Sequence, residues 1–160
     1  MLAELCQKRG VMNKQLLAWA AGFIDGEGTI SFNKQTGKYR HASYAIKLSA
    51  VNTYKPSLKR LQSLFGGSIC AMHTGKELYG TKWKPSFCWA LGAKASETAL
   101  CLLKPFIFIK RKQLHLALQA RTIVRCRALN RRGCRLTQQD IKKSESYLIK
   151  FRCLNKKGLG

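Results

Sequence analysis

The sequence predicts an α+β fold in which helices cover one face of an antiparallel sheet. Two pairs of segments alternate between polar and apolar residues, and each pair is followed by a helical pattern. This gives the order αββαββα, with additional helices at the C-terminus. A chain of 160 residues with 46% apolar residues is long enough for one domain with a real core. Because only one face of each strand pair is apolar, we expect the other face to be exposed.

The first helix is predicted from Lys14 to Asp25. Asn13 precedes it as a favoured N-cap, and glycines at 26 and 28 are expected to end it. One helical face carries only small side chains, which would let a second helix approach closely. That face contains Ala18, Ala21 and Gly22, followed by Asp25.

The first strand pair is predicted at Thr29–Gln35 and Tyr39–Val51, with a turn at 36–38. Tyr44, Ile46, Leu48 and Ala50 share one face of the second strand and are expected to point inward. The remaining elements are, in order, a helix at Pro56–Phe65, strands at Ser68–His73 and Lys84–Leu91, a helix from Ser96 as cap to Leu103, a helix at Gln113–Leu129, and a last helix from Thr137 as cap to Phe151. Residues 13–154 are predicted to form the domain, with an N-terminal extension at 1–12 and a flexible tail at 155–160.

The charge of the chain indicates a polyanionic partner. Thirty lysines and arginines against seven acidic residues give a formal net charge of +23. Such a field attracts nucleic acid or an anionic membrane. We do not expect a membrane protein, because no apolar run approaches the roughly 20 residues that a spanning helix needs. The N-terminus also lacks the apolar core of a signal peptide.

The few acidic residues are unevenly placed. Asp25 and Glu27 lie two apart at the predicted end of the first helix, and a glycine follows each of them. Charge balance on a solvated surface explains this poorly. Two carboxylates at one point of a very basic chain suggest a divalent cation beside a polyanion.

The seven cysteines are odd in number and scattered, without a C-x-x-C pair. This pattern argues against a zinc finger and predicts free thiols in a reducing compartment. Cys101 is expected to behave as a small core residue.

The segment 17–28 reads LAWAAGFIDGEG and resembles the signature of the LAGLIDADG homing endonucleases. The stretch from Asn52 to Ile69 resembles the helix-then-strand segment of that family, and Pro105–Gln113 resembles its PxL-x-K-x-K-Q segment. The resemblance covers residues 13–125 and implies the αββαββα endonuclease fold with a curved DNA-binding sheet. A single motif in a chain of this length implies a homodimer that packs through the Ala18/Gly22 face and cuts a near-palindromic site.

The resemblance also implies roles for individual residues. Glu27 would be the metal ligand from each protomer, and Gly26 would add its carbonyl oxygen. Asp25 would accept backbone N–H bonds at the start of the partner helix, or a local bond at its own helix end. Lys110 would lie beside the scissile phosphate and ordered water, or anchor a phosphate, and Asn52 would order active-site water. Mg²⁺ or Mn²⁺ would be the cofactor, with Ca²⁺ binding without supporting cleavage.

The polar strand face is predicted to read bases in the DNA major groove, which admits a β-ribbon. A merely solvated face would be equally polar, so this alternative stays open. The candidate base contacts are Ser31, Asn33, Gln35, Lys38, Arg40, Lys47 and Ser49 from the first strand pair, and Cys70, Met72, Lys84 and Ser86 from the second. Lys112 is expected to bind DNA within a basic run, and Arg131, Arg132, Lys142 and Lys143 to contact phosphates.

Three functions follow from these observations. The first is a homodimeric, divalent-metal-dependent, intron-encoded endonuclease that cuts double-stranded DNA at a specific site and has no small-molecule substrate. The second is an RNA maturase that assists group I intron splicing. The third is a basic structural or ribosome-associated protein. A chloroplast or mitochondrion is the expected compartment.

Overall fold

The computed structural model describes residues 13–37, 40–73, 77–78, 81–82, 84–128 and 136–155. The predicted N-terminal extension, the predicted contact Lys38, the Arg131–Arg132 pair and the tail from 156 onward lie outside these residues. The elements are α1 (Lys14–Glu27), β1 (Gly28–Gly37), β2 (Arg40–Asn52), α2 (Lys55–Phe65), β3 (Ser68–His73), β4 (Glu77–Leu78), β5 (Thr81–Lys82), β6 (Ser86–Ala90), α3 (Ala93–Leu103), α4 (Arg111–Ala128) and α5 (Gln138–Asn155).

The main sheet has four antiparallel strands in the order β1-β2-β6-β3. In β1 and β2 the apolar side chains alternate inward, as predicted, and Ile30 pairs with Leu48 in the register. Trp89 of β6 is fully buried on the same face. The helices pack on this face and complete the core, so the α+β prediction is confirmed. Within the described residues, no helix is long and apolar enough to cross a membrane.

The two ends of α1 have different caps. The side chain of Asn13 accepts a hydrogen bond from the Gln15 N–H at 2.9 Å, which confirms the predicted N-cap. The predicted C-terminal end at Asp25 is wrong, because the helix continues to Glu27. Gly28 ends it by donating its N–H to the Ile24 carbonyl. A Cβ at Gly28 would lie 2.6 Å from that oxygen, so this close approach requires glycine.

Ser96 is not the predicted helix cap. Helix α3 begins three residues earlier, and Ser96 is fully buried inside it. Its Oγ accepts from the Leu48 N–H at 3.0 Å and donates to the Leu91 carbonyl at 3.3 Å. The hydroxyl therefore satisfies buried backbone groups of β2 and of the β6–α3 connection. A serine before an apolar run has the same local sequence pattern whether it caps a helix or is buried inside one, and this explains why the prediction was wrong.

Other differences are at element boundaries. The predicted polar loop between β3 and β6 contains the short hairpin β4–β5, and β6 is shorter than predicted. The prediction for Thr137 is confirmed, since its Oγ1 accepts from the Asp140 N–H at the start of α5. Cys101 is exposed rather than buried in the core. The helix around it faces solvent at that position because Leu100 and Leu103 fill the core side.

The C-terminal helix α5 braces the β1–β2 hairpin. Phe32 stacks on Tyr44 and on Phe151, with ring centroids 5.7 and 6.0 Å apart. The Glu145 carboxylate accepts hydrogen bonds from Lys34 Nζ and Tyr44 Oη, both at 2.6 Å. These contacts join the last helix to the free edge of the sheet, a connection between segments more than 100 residues apart.

Glu145→Gln is expected to lower the melting temperature near neutral pH. The hydrogen bond from Lys34, then that from Tyr44, lowers the pKa of Glu145 below its ordinary 4.5. A carboxyl whose folded-state pKa is lowered stabilises the fold above its unfolded-state pKa, and this contribution disappears as the pH falls below 4.5. Melting curves of the two proteins should therefore converge in acid. Ser146→Ala, at an exposed position next to it, is the control, and a constant difference across pH would contradict the ionic contribution.

Candidate active site

Asp25 and Lys110 connect the end of α1 to the start of α4. The Asp25 carboxylate is 8% exposed and accepts three backbone hydrogen bonds. Its Oδ2 accepts from the N–H groups of Phe108 at 2.7 Å and Ile109 at 3.1 Å, and its Oδ1 accepts from that of Lys110 at 2.9 Å. Asp25 therefore satisfies backbone donors that precede α4, where a negative charge is favoured by the helix dipole.

These bonds give Asp25 a role that the sequence did not predict. We expected it to accept from the start of the partner's helix or from its own helix end. The acceptor instead serves the same chain, more than 80 residues away in sequence. Only the tertiary fold brings Asp25 and this loop together.

The Lys110 side chain completes the connection in the other direction. Its Nζ donates to the Ile24 carbonyl at 3.0 Å and to the Asp25 carbonyl. The Ile24 carbonyl also accepts from the Gly28 N–H, so the ammonium is a second donor to it, and a cation is favoured at this end of the helix by the dipole. Burial lowers the pKa of Lys110, and the nearby carboxylates of Asp25 and Glu27 partly offset this. Two of the three ammonium hydrogens are thus used within the protein, which leaves one for water or phosphate.

Glu27 is the last residue of α1 and is exposed. No side chain in the described part of the chain forms a hydrogen bond or ion pair with its carboxylate. A carboxylate at the carboxyl end of a helix is opposed by the helix dipole, although the nearby Lys110 ammonium attracts it. Gly26 is exposed in the same turn, and its carbonyl lies beyond the helix's own donors.

The donor chemistry of this corner fits a hard divalent cation. Mg²⁺ takes oxygen ligands in octahedral geometry and usually keeps several waters. One Glu27 carboxylate and one Gly26 carbonyl supply two of these oxygens. Among the described residues, no group of three or more histidine, cysteine or acidic side chains lies close enough to hold a metal within one chain. A complete site would need further oxygens besides these two.

The other two predicted site residues have different environments. Asn52 ends β2, and its Oδ1 accepts from the Tyr54 N–H at 2.7 Å. This bond forms a local turn between β2 and α2, and it leaves the Asn52 amide hydrogens for other partners. Lys112 is exposed in the first turn of α4, two residues after Lys110.

Most of the predicted DNA-reading residues whose side chains are described lie on the sheet face that the helices do not cover. Their side chains are exposed or half-buried and alternate with inward core residues. Those described at side-chain level on the strands are Ser31, Asn33, Gln35, Lys47, Ser49, Cys70, Met72 and Ser86. Lys84 is exposed just before β6, and Arg40 is placed only as the first residue of β2.

The predicted helix interface is only partly accessible. Ala18 and Gly22 are exposed, and a Cβ added at Gly22 would meet nothing within 4 Å. Ala21 and Asp25 are buried within the protomer, so they cannot belong to an accessible face. The reason is that residues three and four apart on α1 straddle the boundary between the core and the solvent side.

Phe108 and Ile109 were missed by sequence reasoning. Their side chains are 78% and 72% exposed, although their backbone N–H groups are held by Asp25. Large adjacent apolar side chains in solvent are a common sign of an interaction surface. The apolar run Pro105–Ile109 could have pointed to them, but a core connector has the same composition.

No family model matches this chain, and no curated protein sequence matches it. Solved structures do. The homing endonuclease I-CvuI, in complex with a target DNA in the presence of magnesium, matches with a TM-score of 0.69 over 92% of this chain and 86% of that chain, at 19% identity. The archaeal intron-encoded homing endonuclease I-Vdi141I, complexed with DNA, matches with a TM-score of 0.70 over 91% and 87%, at 13% identity.

A longer neighbour matches this chain over slightly less than half of its own length. I-SmaMI, a LAGLIDADG homing endonuclease bound to cleaved DNA, has a TM-score of 0.60 and covers 94% of this chain, but only 46% of I-SmaMI is covered, at 18% identity. The present chain thus corresponds to one structural unit of such a protein. The predicted resemblance is confirmed at the level of structure: this chain has the fold of the LAGLIDADG homing endonucleases.

Proposed function

We propose that this protein is a homodimeric, divalent-metal-dependent endonuclease that cuts double-stranded DNA at a specific site, and that it is encoded within an intron. The single observation that carries the proposal is the last turn of α1. It presents Glu27 and Gly26 in solvent directly before β1, the first strand of the uncovered face. A metal-binding corner therefore adjoins a surface suited to a DNA groove.

The chemistry of phosphodiester hydrolysis suits this corner. A bound divalent cation would polarise the phosphate and lower the pKa of an attacking water. Glu27 and Gly26 would hold the cation through oxygen atoms. Lys110 would fix the end of α1 through the Ile24 and Asp25 carbonyls, and its remaining N–H would donate to a phosphate oxygen or to water.

The uncovered face would supply the specificity. Its serine, asparagine and glutamine side chains offer both donors and acceptors to base edges, and Lys47 offers a cation. The net charge of +23 would supply phosphate contacts and steep salt dependence. The compartment stays a prediction, namely a chloroplast or mitochondrion. The maturase hypothesis gains no observation of its own from the structure.

Three features support a homodimer. Among the described residues only Glu27 and Gly26 offer oxygen ligands at this corner, the small residues Ala18 and Gly22 remain exposed on α1, and Phe108 and Ile109 project from the neighbouring loop. A twofold axis beside α1 would bring two Glu27 side chains together and bury these apolar groups. A twofold-symmetric enzyme would cut a near-palindromic target.

The proposed function is tested with a library of randomised DNA duplexes. Incubation with the protein and Mg²⁺, followed by sequencing of the cut ends, should recover one long site with approximate twofold symmetry. Replacing Mg²⁺ with EDTA should abolish the cuts. Cleavage that is independent of sequence, or the absence of any cut product with Mg²⁺ or Mn²⁺, would refute the proposal.

The dimer is tested by replacing Gly22 with arginine. The monomer has room for the side chain, since nothing lies within 4 Å of its Cβ, but a closely packed partner helix does not. We expect Gly22→Arg to remain a folded monomer of 18.0 kDa, whereas two chains of the unaltered protein should bind each DNA duplex. Gly22→Ala is the matched control, because it adds one methyl group and should still dimerise. Equal masses for the unaltered protein and Gly22→Arg would contradict this interface.

A further inference from the structure

Two cysteines face each other on the uncovered side of the sheet. Cys70 of β3 and Cys88 of β6 are direct register partners. The preceding residue of β3 and the following residue of β6, Ile69 and Trp89, are also partners and lie on the core side, where Trp89 is fully buried. Both thiols therefore lie on the opposite face. Cys70 is exposed and Cys88 is half-buried, so solvent reaches the pair.

The spacing of directly paired residues suits a disulfide. Opposite residues of antiparallel strands have Cα atoms about 4.5–5.5 Å apart, and disulfides span Cα distances of about 4.4–6.8 Å. The Cβ atoms of such a pair are about 4.5–5.5 Å apart, whereas a disulfide brings them to about 3.8 Å. Bond formation would thus draw the two side chains together by roughly 1 Å.

The Cys70 thiol already contacts the backbone of its partner. Cys70 Sγ donates to the Cys88 carbonyl at 3.6 Å, and Cys88 Sγ donates to the Trp89 carbonyl at 3.6 Å. Burial raises the pKa of the Cys88 thiol, and the adjacent Cys70 raises it further, against the opposing effect of Lys47. Cys88 therefore stays protonated at neutral pH, and the more exposed Cys70 is the thiol that an oxidant reaches first.

We propose that Cys70 and Cys88 form a reversible cross-strand disulfide under oxidation by hydrogen peroxide, and that this bond weakens DNA binding by the uncovered face. The Cys70 thiol is oxidised to a sulfenic acid, and the peroxide is reduced to water. Cys88 sulfur then attacks the Cys70 sulfur, the S–S bond forms, and the hydroxyl leaves with the Cys88 proton as a second water. One peroxide and two thiols give one disulfide and two waters, and a dithiol reductant reverses the reaction by exchange.

The effect on DNA rests on the proposed function. Val51, Cys88 and Cys70 form a row across β2, β6 and β3, and the exposed Met72 lies two residues beyond Cys70. The disulfide holds the Cys70 and Cys88 side chains together and shifts them within this row. We expect cognate DNA to bind about tenfold more weakly, the scale of one lost base contact.

The first arm of the test needs no DNA. The full chain is reduced, treated with hydrogen peroxide, digested without reductant and mapped by mass spectrometry. We expect a peptide that links Cys70 to Cys88, with a mass lower by two hydrogen atoms. Cys88→Ser should lack it, and Cys153→Ser, which removes an exposed thiol of α5, should retain it. Free thiols, sulfinic acids or links to other cysteines at these positions would overturn the disulfide.

The second arm measures binding and cleavage of the cognate duplex, with each protein compared with its own reduced form. Oxidation should weaken binding by the unaltered protein and by Cys153→Ser, but not by Cys88→Ser, and dithiothreitol should restore it. A mapped disulfide with unchanged affinity would overturn the effect on DNA. A mapped disulfide in a protein that never binds or cuts DNA would instead refute the proposed function and leave the disulfide standing.

Discussion

Replacing Glu27 with glutamine is expected to reduce DNA cleavage by about a thousandfold or more while the protein stays folded. A metal ion contributes several kcal/mol of transition-state stabilisation, and each 1.36 kcal/mol corresponds to about tenfold in rate. The neutral amide of glutamine is a poor replacement for a carboxylate ligand. Cleavage is measured as single-turnover rate on the cognate duplex with Mg²⁺.

The stability of Glu27→Gln distinguishes a functional residue from a structural one. Because the carboxylate is exposed at the carboxyl end of α1, removing its charge should leave the melting temperature equal or slightly higher. Binding to cognate DNA with Ca²⁺ should persist, because most contacts come from the sheet face. Glu145→Gln is the matched control: it should lose stability and keep its cleavage rate at a temperature where it is folded. Normal cleavage by Glu27→Gln would refute the metal-ligand assignment, and intron splicing that tolerates this substitution would favour a maturase.

Replacing Asp25 with asparagine is expected to destabilise the fold by about 2–4 kcal/mol, because a buried hydrogen bond to a charged group contributes about 1.5–3 kcal/mol. Asparagine has one acceptor oxygen, whereas three backbone N–H groups converge on the two oxygens of Asp25. Its amide hydrogens would face these donors. Urea denaturation gives the free energy of unfolding, and hydrogen exchange at 108–110 gives the local effect.

Cleavage by Asp25→Asn should also fall at temperatures where the variant is folded, because the loop that carries Lys110 loses its anchor. Lys110→Met is the companion variant, since it keeps the length of the side chain but removes its bonds to the Ile24 and Asp25 carbonyls. It should cost less stability, leave exchange at 108–110 nearly unchanged, and lower cleavage. Normal hydrogen exchange at the 108–110 amides of Asp25→Asn would contradict the anchoring role. This measurement decides the question even if the variant is too unstable for cleavage rates to be measured.

The inward faces of β1 and β2 and the caps Asn13 and Thr137 were predictable, because each depends on residues close in sequence. Alternation places every second side chain on one face whatever packs against it, and an N-cap needs only the next few N–H groups. The prediction for Ser96 was wrong for the opposite reason. Its hydroxyl serves Leu48, a residue of another element, and no local pattern distinguishes that role from a cap.

The candidate active site also has parts that the sequence predicts and parts that it does not. The motif at 17–28 is one continuous segment, so the sequence could identify Glu27 and Gly26 as candidate ligands before any fold was known. The partner of Asp25 could not be identified, because eight elements separate it in sequence from the loop at 108–110, and only the packed fold brings the two together. The exposure of individual α1 residues could not be predicted either, because it depends on which side of the helix packs against the core. Gly22 is exposed, whereas its neighbour Ala21 is buried.

The sequence by itself determined the order of helices and strands, the polar face of the sheet, and the point where carboxylates concentrate in a basic chain. These properties depend on periodicity and composition, which act along the chain. Only the tertiary structure decided that Asp25 and Lys110 join two helix ends, that α5 braces the first hairpin through Glu145, and that Cys70 lies opposite Cys88. Each of these pairs is distant in sequence, and strand register or helix packing, rather than local propensity, brings its members together.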